Sequence, residues 1–241
     1  MGIKDLIPLE KRRKLADVYN NSMHGFSNKS YSQEGEDMIL KRIFDKVRKG
    51  FYIDIGAYHP KKYSNTYYFY QLGWTGINID AMPGSMKKFK GIRPKDINIE
   101  IPVSSKKQVL TYYAFNEPAL NSFNKELSYE RNGKDGYKII FEKEIETLTL
   151  SEILDKNMPS SVNEINFMSI DVETLDFDVL KSNNWEKYKP LIVLIEDLNF
   201  KINNLSKSDI YNFLKQYNYD FFAKTVNTHF FKRNDFIVGE E

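Results

Sequence analysis

Acidic residues stand at the ends of several short apolar runs in this 241-residue sequence. They are Asp54, Asp80, Asp171, Glu173, Glu196 and Asp197. Short apolar runs bounded by polar residues are typical of buried strands. The carboxyl ends of parallel strands meet at one edge of a sheet, and α/β proteins bind their ligands at that edge. The sequence therefore predicts a ligand site built from carboxylates at strand ends.

The turn after the first predicted strand narrows the chemistry of that ligand. Its sequence, GAYHPK, lacks two of the three glycines of the dinucleotide motif GxGxxG, and the chain has no GK[ST] phosphate loop. A ligand with an amino group and a ribose but no phosphate fits better, and S-adenosylmethionine is such a ligand. We expect Gly56 to let the backbone approach its methionine part, and Asp80 to accept hydrogen bonds from both ribose hydroxyls.

Strands and helices alternate along the chain and position these acidic residues. The predicted strands are FYIDIG, GINIDA, INIEIPV, VLTYYAF, KIIFEKEIETL, INFMSID, PLIVLIED, YDFFAKTV and THFFKR. Helices are predicted over SQEGEDMILKRIFDKV with Ser32 as N-cap, and at YSNTYYFYQLG, DFDVLKSN and SKSDIYNFLKQY; the segment 116–136 is predicted to be a polar loop. This alternation indicates an α/β fold with a mostly parallel sheet that ends in an antiparallel strand pair.

Composition excludes several classes of site and protein. The chain has no cysteine, so it has no disulfide, thiolate metal site or cysteine nucleophile. We expect no signal peptide and no membrane span, because no long apolar segment occurs, and we expect a cytoplasmic protein.

Charge is distributed unevenly along the chain. Residues 1–100 carry 18 Lys and Arg against 11 Asp and Glu, whereas the remainder carries 17 against 22. The basic segments, such as Lys61-Lys62 and KKFKGIRPK, indicate either solvated helix faces or a phosphate-bearing substrate. No long basic stripe accompanies them, so nucleic acid is not an expected partner.

Five segments in succession resemble motifs of the FkbM-type methyltransferases. They are YSQEGEDMIL, GFYIDIGAYHPKKYSNTYYFYQLGWTGINIDAMPGS, FNEPALNSF, MSIDVETLDFDVLKSNNWEKYKP and AKTVNTHFFKR. The resemblance implies an S-adenosylmethionine-dependent enzyme with a class I (Rossmann-like) methyltransferase sheet and helices on both faces. It covers Tyr31 to Arg233, which predicts a single methyltransferase domain over 31–241 after an N-terminal helical arm at 1–30.

The resemblance also assigns residues to the cofactor. Those matching the family's cofactor-binding positions are Gln33, Asp54, Gly56, Asn65, Asp80, Ala81, Met82 and Ser104. Gln33 and Asn65 are expected near the methionine part, Ala81 and Met82 over the adenine, and Ser104 near the adenine edge. Asp171 matches a position at which class I enzymes hold the methionine amine or a metal.

Catalysis requires a group that removes the proton of the acceptor hydroxyl as the methyl group is transferred. One hypothesis is a Mg²⁺ or Mn²⁺ ion held by Asp171, Glu196 and Asp197, similar to metal-dependent class I catechol O-methyltransferases. Glu173 is then a further ligand or the base. The alternative is a metal-free mechanism with His59 or His229 as base.

The function predicted from the sequence is O-methylation of a carbohydrate hydroxyl. The expected substrate is a nucleotide-activated sugar or a surface-glycan sugar, as in polysaccharide biosynthesis. The alternatives are a natural-product hydroxyl, amine or carboxylate as acceptor, a nicotinamide-dependent oxidoreductase, or a binding module without catalysis. The sequence is compatible with a homo-oligomer and does not determine the oligomeric state.

Overall fold

The computed structural model describes residues 8–23, 25–172, 175–197 and 202–239. They belong to two units, one within residues 1–30 and one within residues 31–241. The first unit contains helix α1 (Leu9–Ser22), and none of the side chains of this helix is buried. The second unit contains the sheets and the remaining helices.

A seven-stranded sheet forms the centre of the second unit. Its strands are β1 (Phe51–Ile55), β2 (Thr75–Asp80), β3 (Ile97–Glu100), β6 (Phe167–Ile170), β7 (Ile192–Glu196), β8 (Tyr219–Lys224) and β9 (Thr228–Arg233). Their spatial order is β3-β2-β1-β6-β7-β9-β8, and β9 runs in the direction opposite to that of the other six strands. This confirms the predicted mostly parallel sheet with an antiparallel C-terminal strand.

Helices cover both faces of this sheet because successive strand residues point to opposite sides. The α-helices described in this unit are α2 (Glu36–Ile43), α3 (Tyr67–Gln71), α4 (Met86–Ile92), α5 (Lys125–Arg131), α6 (Leu150–Asn157), α7 (Asp176–Lys181) and α8 (Asp209–Gln216), of which α5 packs against β4 (Gln108–Phe115) of a separate strand pair. Ile53 of β1 belongs to a core cluster that contains residues of α6, α7 and α8. Its neighbour Tyr52 belongs to a second cluster with residues of α2 and α3. No helix among the described residues is long and apolar enough to span a membrane.

A separate antiparallel pair, β4 (Gln108–Phe115) and β5 (Ile139–Thr147), lies between β3 and α6 in the chain. The segment between these two strands was predicted to be a polar loop, but it contains a 3₁₀ helix at Pro118–Leu120 and helix α5. The stretch after the 3₁₀ helix is tied back to β4, because Tyr113 and Ser122 exchange backbone hydrogen bonds.

Helix α2 begins three residues later than the predicted N-cap at Ser32 implies. Its N-cap is Gly35, which has a left-handed backbone with φ of 89°, and the helix starts at Glu36. The hydroxyl of Ser32 accepts a hydrogen bond from the N–H of Gly35 at 3.1 Å and donates one to Asp37 at 2.8 Å. Ser32 thus organises the turn before the helix and is not its N-cap residue.

A buried ion pair connects the strands that carry the predicted site. The Nε of Arg93 donates to Asp96 at 2.7 Å, and both side chains are fully buried. Asp96 also accepts hydrogen bonds from the hydroxyl of Tyr52 in β1, and from the backbone N–H of Gly76 and the side chain of Asn78 in β2. Both carboxylate oxygens of Asp96 and the guanidinium of Arg93 thus have hydrogen-bond partners within the protein. Because Asp96 accepts from both strands, the pair fixes β1 relative to β2.

We predict that replacing Arg93 with methionine lowers the free energy of unfolding by about 3–5 kcal/mol, because Asp96 then remains as a buried charge without its cation. The matched control is Arg42→Met. Arg42 also pairs with an aspartate three residues later, Asp45, but the two side chains are 85% and 43% exposed. The control should lose at most about 1 kcal/mol. Equal losses in urea denaturation would contradict the structural role of the buried pair.

Candidate functional site

A cavity of about 460 Å³ opens at the carboxyl ends of β1, β2 and β6. The chain runs outward from β1 through β2 to β3 and then returns to the other side of β1 at β6. Such a reversal of strand order leaves a crevice in which α/β proteins bind ligands. The cavity volume lies within the range of small-molecule sites, about 300–1,000 Å³.

Asp80, the last residue of β2, presents its carboxylate in this cavity. The backbone N–H groups of Tyr58 and Met82 donate to its two oxygens, each at 2.8 Å. Burial raises the pKa of Asp80, and these two hydrogen bonds act in the opposite direction. Each carboxylate oxygen has a further lone pair, so both oxygens can accept another donor from a ligand.

Gly56 lines the same cavity directly after β1 and has a left-handed backbone with φ of 80°. A Cβ atom at this position would collide with the backbone carbonyl of Asp171, the first residue after β6. The sequence predicted that Gly56 makes room for a ligand. The structure shows that it first makes room for the neighbouring strand end, so β1 and β6 can finish side by side.

Four more of the predicted residues line the cavity: Gln33, Ala81, Met82 and Asp171. The acidic residues after Gln33 hold its segment in place. The carboxylate of Glu34 accepts from the backbone N–H of Asn227 at 2.9 Å, and the hydroxyl of Thr225 donates to Glu36 at 2.9 Å. The segment carrying Gln33 is therefore connected to the turn between β8 and β9.

Asp54, Asn65 and Ser104 were predicted at the cofactor but do not line the cavity, and each has a contact within the protein. Asp54 is buried in β1 and accepts from the hydroxyl of Thr66 at 2.7 Å; burial raises its pKa. The side-chain amide of Asn65 donates to Ser169 at 3.0 Å. The hydroxyl of Ser104 accepts from the side chain of Gln108 at 2.9 Å.

The two histidines predicted as bases lie in different surroundings, and neither lines the cavity. His59 follows Tyr58, and its Nδ1 accepts from the backbone N–H groups of Lys61 and Lys62, each at 3.1 Å. Burial and the nearby lysines lower its pKa. His229 is fully buried in β9, where it lies opposite Ile195 of β7 and Lys224 of β8. Burial lowers its pKa to about 4.

The predicted metal ligands do not form a metal site within the described ranges. No three His, Cys, Asp or Glu side chains of these ranges come together in a way that could hold an ion. Asp171 lines the cavity, whereas the carboxylate of Asp197 accepts from the hydroxyl of Ser208 at 3.2 Å. Glu196 and Asp197 are consecutive in an extended segment, and extended residues direct successive side chains to opposite sides. Glu173 lies outside the described residues.

The sequence did not predict the part of the cavity wall formed by the loop after β1 and by the segment from β4 to Phe123. The residues of this part are Tyr58, Tyr63, Tyr112, Pro118, Asn121, Ser122 and Phe123. Tyr112 belongs to β4, and its ring lies 5.2 Å from that of Phe123. The signal was present, because FNEPALNSF was recognised as a motif, but none of its residues was assigned a role.

A model of the methyltransferase FkbM domain matches residues 54–221 of the chain. The match begins in β1 and ends in β8, so it includes most of the seven-stranded sheet together with the β4–β5 pair. It also includes Gly56, Asp80 and Asp171, whereas Gln33 lies before its first residue. No curated protein matches the chain.

We predict that Gly56→Ala destabilises the protein more than Gly73→Ala does. Both glycines have left-handed backbones, with φ of 80° and 91°, so both variants incur a backbone cost of roughly 1–2 kcal/mol. Only at Gly56 does the new methyl group meet a backbone carbonyl, since the position at Gly73 is open among the described residues. We expect an additional loss of about 1–3 kcal/mol in urea denaturation. Equal losses would show that β1 and β6 do not approach closely here.

Proposed function

Because the chain belongs to the FkbM methyltransferase family, we propose that it transfers the methyl group of S-adenosylmethionine to a carbohydrate hydroxyl. We assign this activity to the unit within residues 31–241, which follows in sequence the unit that contains α1. The observation that carries the proposal is Asp80, a carboxylate that ends β2 within the cavity and is oriented by two backbone N–H groups.

The chemical character of the cavity wall fits the three parts of this cofactor. Asp80 suits the ribose, because a carboxylate can accept hydrogen bonds from two neighbouring hydroxyls. Apolar side chains suit the adenine, and Met82, Ile101 and Val103 supply them. The polar methionine part needs donors and acceptors, and we assign Gln33 and the strand end at Gly56 to it.

The cofactor supplies a methyl group activated by a positively charged sulfur. The acceptor oxygen forms a bond to this carbon while the sulfur–carbon bond breaks, and the hydroxyl proton must leave. The protein contributes by holding the two reactants in line and by accepting that proton. Among the described residues predicted to hold a metal or to act as the base, Asp171 is the one that lines the cavity, and we assign the proton to its carboxylate.

Transfer of labelled methyl groups tests this function directly. The purified protein would be incubated with methyl-labelled S-adenosylmethionine and a panel of sugars, glycans and nucleotide-activated sugars. We expect label in at least one carbohydrate as a methyl ether, which resists mild base, whereas a methyl ester is cleaved by it. Label found only in base-labile products, or in acceptors other than carbohydrates, would contradict the proposed acceptor class.

We predict that Asp80→Asn weakens the binding of S-adenosylhomocysteine roughly 10- to 100-fold, because a hydrogen bond to a charged group contributes about 1.5–3 kcal/mol. Calorimetric titration measures the affinity, and thermal unfolding shows whether the variant is folded. The matched control is Glu100→Gln. Glu100 pairs with Asp80 across β2 and β3 but is exposed and does not line the cavity. A folded Asp80→Asn protein that binds as tightly as this control would refute the assignment to the ribose.

A further inference from the structure

The loop between β1 and α3 contains two tyrosines in a backbone conformation that residues other than glycine rarely adopt. Tyr58 has φ of 49° and Tyr63 has φ of 56°. A left-handed backbone is unusual and unfavourable for a bulky residue, and such residues concentrate at functional sites. Both tyrosines line the cavity, so the two unfavourable backbone positions lie at its rim.

The rings of these two tyrosines form a stacked pair. Their centroids are 6.2 Å apart and their planes differ by 18°. The ammonium group of Lys62 lies 4.5 Å from the centroid of the Tyr63 ring, close enough for a cation–π contact. Tyr63 is 48% exposed although it is a large aromatic residue. The loop therefore presents an aromatic surface and a positive charge together at the cavity.

Positive charge from two different elements meets beside this loop. Lys61 and Lys62 belong to the loop, and Lys88 belongs to α4, which packs against the start of this loop because Met86 and Phe89 form a cluster with Ala57. The three lysines contribute to the lowered pKa of His59. None of the three forms an ion pair with another described residue, and all three are exposed. Like charges that lie close together repel each other, and a bound anion offsets this repulsion.

His59 explains how the loop keeps its two lysines in place. Its Nδ1 accepts from the backbone N–H of both Lys61 and Lys62, and the backbone N–H of Tyr58 is held by Asp80. The same loop is thus fixed at one end by the residue assigned to the ribose and in its middle by a histidine. We call Tyr58, His59, Lys61, Lys62, Tyr63 and Lys88 the rim cluster.

We propose that the rim cluster binds the phosphate of the methyl acceptor, so that the acceptor is a phosphorylated sugar. This assignment rests on the proposed function and narrows its substrate. Lys61, Lys62 and Lys88 contact the phosphate oxygens, and the Tyr58–Tyr63 pair contacts the group next to the phosphate. The phosphate belongs to a sugar phosphate or to a nucleotide-activated sugar, and the recognition chemistry is common to both.

The test uses the full chain saturated with S-adenosylhomocysteine, whose binding is measured first. Four probes are then titrated by calorimetry at low and high salt: pyrophosphate, glucose 1-phosphate, uridine diphosphate glucose and the neutral methyl glucoside. We expect the phosphate-bearing probes to bind more tightly than the neutral sugar, and their affinity to fall with added salt because exposed charges are screened. Preference for the uridine probe over glucose 1-phosphate identifies the nucleotide source, and the reverse identifies the sugar phosphate.

Charge removal supplies the matched comparison. The triple variant Lys61→Gln, Lys62→Gln and Lys88→Gln should lose about tenfold in affinity for the phosphate probes while binding S-adenosylhomocysteine as before. The control variant changes Lys46, Lys49 and Lys95 to glutamine; these lysines are also exposed but precede β1 and β3, at the opposite edge of the sheet. The control should change affinity by less than about twofold.

Two results would overturn the assignment of the rim cluster while leaving the proposed function intact. They are S-adenosylhomocysteine binding without measurable binding of any phosphate probe, and equal phosphate affinity in the rim and control variants. A protein that fails to bind S-adenosylhomocysteine would overturn the proposed function itself, and the rim cluster would then have no acceptor to hold.

Discussion

The buried pair of Arg93 and Asp96 sets the relation between the two strands on which the site depends. Burying two charges is costly unless every oxygen and N–H group finds a partner. Here Asp96 accepts from the Tyr52 hydroxyl in β1 and from Gly76 and Asn78 in β2. The strands can therefore separate or shift only if a buried charge loses its partners. Because β1 and β2 are held in register, Gly56 and Asp80 come side by side at their carboxyl ends.

The acidic residues of this chain separate into those with structural contacts and those at the cavity. Asp96 and Asp54 are buried and bound to donors within the protein, from Arg93 and Thr66 respectively. Asp80 is also largely buried, but its donors are backbone N–H groups that orient the carboxylate within the cavity. Asp80 therefore differs from Asp54 and Asp96 in lining the cavity, and residue type alone does not reveal that difference.

Much of the sheet could be predicted because its strands are short apolar runs, and both Gly56 and Asp80 were found from their positions at strand ends. Asn65 and Ser104 were placed at the cofactor by resemblance. The contact of Asn65 with Ser169 depends on tertiary packing, whereas Ser104 contacts Gln108, which lies close to it in the sequence. Helix α6 had a local signal that was missed, since Thr149 and Glu152 form a capping box. The start of α2 depends on a glycine with a left-handed backbone. Ser32 is a residue type that often caps helices, and it was therefore wrongly predicted as the N-cap.

A crystal structure of the protein with S-adenosylhomocysteine tests the role of Asp80 most directly. We predict that the ligand occupies the cavity at the ends of β1 and β2, with both ribose hydroxyls within hydrogen-bonding distance of the Asp80 carboxylate. The adenine should then contact Met82, and the amino acid part should lie towards Gly56. A ligand bound outside this cavity, or one whose ribose points away from Asp80, would contradict the proposed cofactor site.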